Sequence, residues 1–118
     1  MKQNAIETEI NAHIEQSAPL STVHKCAKLV FGDKAYSAVV GNGFDPHTKK
    51  ADLMDVECAL GIDVLHDEEY ITAEYWQHGL LEFDDKKRIA NYAHNKFTAR
   101  AHAVCAVAEQ IYDKGQSR

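Results

Sequence analysis

The sequence predicts an all-α fold: a bundle of about five helices ending in one long amphipathic helix. Three observations predict it. Apolar residues recur every three or four positions over most of the chain, Ser and Asp stand where helices would start, and Gly and Pro stand where they would stop. The alternative class is α+β, with one β-hairpin near residues 29–40. A chain of 118 residues fits one domain spanning 1–118. Its 45% hydrophobic and 26% charged content is ordinary for a globular protein and excludes a natively disordered chain.

The first helix is signalled by Ile6, Ile10 and Ile14, with Glu7, Glu9 and Glu15 off that stripe, and it ends before Pro19. Ser21 then caps a second helix in which Val23, Cys26, Ala27, Val30 and Phe31 share a face. Gly32-Asp33 interrupts it. In the hairpin alternative this dipeptide joins strands at Leu29 to Phe31 and Tyr36 to Val40. Gly41-Asn42-Gly43 reads as a turn, because it lacks the further residues of a phosphate-cradling loop.

Asp45-Pro46 starts a third helix, with Asp as cap and Pro at the first position, where its missing N–H costs nothing. It runs to Leu60 and stops at Gly61, with Leu53, Val56 and Leu60 inward. Asp67 caps a fourth helix whose first turn holds Glu68 and Glu69 and whose end is Gly79. Tyr70, Ile71, Tyr75 and Trp76 give it an aromatic packing surface.

The last helix is expected from Asp84 or Asp85 to Lys114. At 100° per residue, Ile89, Ala93, Phe97, Ala101, Val104, Val107, Ala108 and Ile111 fall in one arc. Such a helix would be about 43 Å long. That exceeds the diameter of about 35 Å of a compact globule of this size, so part of the apolar stripe calls for a partner. Phe97, Ala101, Val104, Ala108 and Ile111 are therefore the expected seam of a homodimer.

Charge is segregated along the chain. Residues 45–85 carry twelve acids and two bases, and residues 86–118 carry two acids and seven bases. Asp52, Asp55, Asp63, Glu68, Glu69, Glu82 and Asp84 form a candidate protein-binding surface for a basic protein partner. Direct nucleic-acid binding is opposed by a pI near 5.7, despite the Lys86-Lys87-Arg88 cluster. Arg100 falls inside the apolar arc, so its guanidinium calls for a structural ion pair with a carboxylate of the acidic block.

No apolar run reaches the roughly 18 residues that span a bilayer, and the N-terminus does not read as a signal peptide. With Cys26, Cys58 and Cys105 an odd number and without C-x-x-C spacing, buried free thiols in a cytoplasmic protein are expected. Among seven histidines, only His102 pairs with a cysteine, Cys105, at helical spacing, too few ligands for zinc.

His66-Asp67, with His24 upstream and Asp113 downstream, resembles the motif of HD-domain phosphohydrolases. The resemblance covers these four positions and implies a divalent metal held over a phosphate ester. It departs from the pattern in that a helix continued through Gly61 turns His66 away from Leu53 and the buried face. The sequence reading is thus a non-enzymatic binding or inhibitory module without a cofactor, acting through an acidic surface as a homodimer. A metal-dependent phosphohydrolase is the alternative.

Overall fold

The computed structural model describes residues 17–116. The first expected helix, at Ile6, Ile10 and Ile14, lies outside them. Among these residues, four helices and a three-stranded antiparallel sheet replace the all-α bundle; the class is α+β. In chain order the elements are α1 (Leu20–Phe31), α2 (Tyr36–Gly41), α3 (Lys50–Leu60), β1 (Asp63–His66), β2 (Tyr70–Gln77), β3 (Leu80–Arg88), a short 3-10 helix (Ile89–Tyr92) and α4 (Lys96–Gln116). The strands lie in the order β1-β2-β3.

The strands are not where the alternative reading put them. Residues 29–40 are the end of α1, a turn at Gly32 (φ 86°) and α2, so the hairpin expected there is absent. Pro19 precedes the first residue of α1, and Ser21 sits within its first turn and does not cap it. Asp45-Pro46 starts a turn, and α3 begins only at Lys50. The Asp45 carboxylate accepts the N–H groups of Ala18 at 3.2 Å and His47 at 3.0 Å, and its own N–H donates to Asp52 Oδ2 at 2.9 Å. Asp45 thus anchors the entry to α1 onto the loop before α3. The stop at Gly61 is realised: it adopts the left-handed conformation (φ 67°), which glycine enters without a Cβ clash.

Residues 67–79, expected as a fourth helix, are a turn and β2. Asp67 Oδ1 accepts the N–H groups of Glu69 and Tyr70, both at 2.8 Å. A helix cap uses the same bonds, so the local signal does not distinguish a helix start from a hairpin turn. From Tyr70 onward the side chains alternate with period two. Ile71, Ala73 and Tyr75 face the helices, and Tyr70, Thr72, Glu74 and Trp76 face outward. His78 (φ 54°) and Gly79 (φ 76°) then make the two-residue turn to β3, whose twist requires positive φ at both central positions.

The last helix starts at Lys96, twelve residues later than Asp84. β3 occupies the intervening segment, followed by the 3-10 helix and two consecutive left-handed residues, Ala93 and His94. Asn95 opens α4 by accepting the Thr98 N–H on Oδ1 at 3.0 Å. The helix therefore has 21 residues, about 31 Å in length.

That shortening removes the argument for a projecting stripe. α4 lies between the sheet on one side and α1 and α3 on the other. Ala101, Val104 and Ala108 are fully buried within the chain, and Phe97 and Ile111 pack against the same core. The small side chains let the sheet and α1 approach closely, so Ala101, Val104 and Ala108 are spent on the core of one chain, with Phe97 and Ile111 half-buried at its edge. Val23, Cys26 and Ala27 of α1 and Leu53 and Val56 of α3 complete it.

Candidate functional site

Among the described residues, the helices cover the sheet on one side only. Strand pairing sets Asp63 of β1 opposite Glu74 of β2, and Glu74 opposite Asp84 of β3. These residues lie on the outward pleat with Trp76, so three carboxylates form one row across all three strands. Like charges directly opposite one another destabilise an antiparallel sheet. The next row toward the β2–β3 turn is Trp76 with Leu81, and Leu80 stands at the turn itself. On the other side come Leu65, Thr72 and Lys86, and then Tyr70 with Arg88.

Large apolar groups stand in solvent on this side: Leu65 is 55% exposed, Trp76 44% and Leu81 42%. Trp76 Nε1 donates to Glu74 Oε1 at 3.2 Å, which joins the indole to the carboxylate row. Lys86 lies 4.4 Å from the centre of the Tyr70 ring. The outward face thus has an acidic, aromatic part and a basic end formed by Lys86 and Arg88. Pleating divides the Lys86-Lys87-Arg88 cluster, because Lys87 points inward and pairs with Asp85 at 3.3 Å.

The seven acids singled out from the sequence do not form one patch. Asp63 and Asp84 belong to the carboxylate row. Glu68 and Glu69 are exposed in the β1–β2 turn, and Asp55 is exposed on α3. Asp52 holds the Asp45 N–H, and Glu82 is paired with Lys114. Glu74, at the centre of the row, is absent from the sequence-derived set because a helix over this stretch conceals its strand setting.

Arg100 pairs side-on with Glu57 of α3, Nε to Oε2 at 2.8 Å and Nη2 to Oε1 at 2.5 Å. The hydrogen bond to Glu57 holds the guanidinium pKa above its ordinary value. The pair lines a cleft of about 400 Å³ between α3, the start of α4 and the inner side of β1 and β2.

The residues of the HD-like pattern are dispersed. His24 packs edge-on against Tyr36, Asp113 accepts Lys25 Nζ at 2.8 Å, Asp67 is occupied by its turn, and His66 lines the cleft. The His102 ring stacks on His47 with centroids 4.2 Å apart, an interaction between α4 and the loop before α3 that helical spacing cannot reveal. Its sequence neighbour Cys105 is buried against Cys26. The hydrogen bond between the two thiols, together with burial, raises the Cys105 pKa well above the ordinary thiol range. Cys58 departs from the expected buried setting and is exposed on α3. Among the described residues, no group of three or more His, Cys, Asp or Glu side chains is placed to share a metal ion.

Among the described residues, no helix is long and apolar enough to cross a membrane. The chain matches no family model, no curated protein and no solved structure.

Proposed function

We propose that this chain is a small cytoplasmic protein-binding or inhibitory module, without catalytic activity, that docks a basic partner segment on the outward face of its sheet. The observation that carries this reading is the Asp63, Glu74, Asp84 row beside the exposed Trp76. A row of like charges opposes the strand pairing on which it sits, and local conflicts of this kind concentrate where function requires them. A cationic partner relieves the repulsion, and its apolar side chains cover Trp76, Leu65 and Leu81. Three free cysteines suit a reducing compartment.

Trp76 is the only tryptophan in the chain, so its fluorescence reports on this face. Titration with a peptide of alternating Lys and Leu shifts the Trp76 emission, and a Glu-for-Lys version of the peptide leaves it unchanged. A second copy of the chain is the other occupant that the face favours, because Lys86 and Arg88 at one end complement the carboxylate row. Doubling of the solution mass that disappears in the triple variant D63N, E74Q, D84N identifies that arrangement.

A further inference from the structure

A cleft on the opposite side of the sheet is independent of the outward face. Helical spacing brings Lys50, Leu53, Met54, Glu57 and Cys58 to one face of α3, and Lys96, Phe97 and Arg100 to one face of α4. His66 and Ile71, directly paired across β1 and β2, close the floor. The resulting cleft, of about 400 Å³, falls within the size range of small-molecule sites.

Its walls are mainly apolar, and its charges are cationic in a chain whose net charge is −5. The one carboxylate in the lining, Glu57, is only 10% exposed and is engaged by Arg100 through Nε and Nη2. Nη1 is outside that pair, and the Arg100 side chain is 40% exposed. Lys50 and Lys96 are exposed, and neither forms an ion pair among the described residues. Two lysines and one guanidinium edge therefore line an apolar pocket whose single carboxylate is already engaged by Arg100.

We propose that this cleft binds a small organic carboxylate with a compact apolar body, of the size of a naphthoate. The carboxylate takes N–H donors from Lys50, Lys96 and Arg100 Nη1, and the body lies on Leu53, Phe97 and Ile71. Glu57 is a positioning residue: it fixes the guanidinium so that one edge faces the cleft. An inorganic oxyanion satisfies the cations but leaves the apolar walls uncovered, which is why the ligand class is an apolar acid.

The test uses the full chain with 2-naphthoate, its neutral amide and inorganic phosphate as probes, monitored by NMR of side-chain methyl groups and by calorimetry. The expected result is that naphthoate binds with shifts at Leu53, Met54 and Ile71, and that the amide binds about tenfold or more weakly. The double variant K50Q, K96Q, which alters only exposed side chains, should lose most of that preference while keeping the amide affinity. Leu53→Ala, checked for retained fold by circular dichroism, should weaken acid and amide alike. Equal binding of acid and amide, displacement of naphthoate by equimolar phosphate, or shifts confined to residues outside the cleft would each overturn the proposal.

Discussion

Glu57 receives the Arg100 guanidinium through two hydrogen bonds, from Nε at 2.8 Å and from Nη2 at 2.5 Å, and so ties α3 to α4 across 43 positions of sequence. Arg100→Ala leaves a nearly buried carboxylate without its cation. A fully buried pair would lose roughly 3 to 5 kcal/mol, and the 40% exposure of the Arg100 side chain reduces this to about 1 to 3 kcal/mol. Glu57→Gln keeps one acceptor and should cost less. Urea midpoints for the two variants check this order; an Arg100→Ala midpoint equal to that of the wild type contradicts it.

The carboxylate row gives a prediction of opposite sign. Glu74→Gln removes the central charge and should raise stability by about 0.2 to 1 kcal/mol. The gain should shrink in high salt, where the repulsion is already screened. Loss of stability in this variant, measured by thermal melting at two ionic strengths, would show that the row does not repel as its register implies.

Some of this architecture can be read from the sequence, for reasons that belong to particular residues. Leu53, Val56, Ala101, Val104, Val107 and Ala108 are buried as helical spacing requires, with Phe97 and Ile111 half-buried at the ends of the stripe, and Gly61 stops α3 because only its backbone turns left-handed cheaply. Residues 67–77 mislead because Asp67 makes the bonds of a helix cap and because Ala73, the central inward residue of β2, is too small to mark the alternation. β3 is obscure for a related reason: Asp85 and Lys87 occupy inward positions, so charge falls on both faces. Nothing in the residue types marks Ala93 and His94 as left-handed, and those two positions delay the start of α4. The site obeys the same logic. Asp63, Glu74 and Asp84 are far apart in sequence, and only strand register aligns them.

Acid sensitivity should centre on Asp45. Burial pushes its pKa up, but the N–H groups of Ala18 and His47 outweigh that and hold it below the ordinary value. A depressed folded pKa gives stability that is fully present above the unfolded value, near 3.9, and is lost as pH falls through the lower folded value. Denaturation curves between about pH 5 and pH 2 should therefore show a loss that is smaller in Asp45→Asn. Asp85 acts in reverse. Burial raises its pKa, and Lys87, 3.3 Å from Oδ2, only partly offsets that. Asp85→Asn should therefore stabilise the protein at neutral pH, and the gain should fade as Asp85 takes up its proton on acidification.

The cysteines should react unequally. Cys58 is exposed, whereas Cys26 is 0% and Cys105 2% exposed. Iodoacetamide under native conditions should add one group per chain, at Cys58, and all three thiols should react only in denaturant. Mass spectrometry of digested protein checks the position; rapid native modification of Cys105 would show that α1 and α4 open readily.

The outward sheet face as a docking surface for a cationic partner is tested most directly by the Trp76 titration with the Lys-Leu peptide, run on wild type and on the triple variant D63N, E74Q, D84N at low and high salt. Saturable binding to the wild type is expected, weakening as salt rises and about tenfold or more weaker in the variant. Binding of equal strength in the two proteins, or no change in Trp76 emission at any peptide concentration, would contradict it.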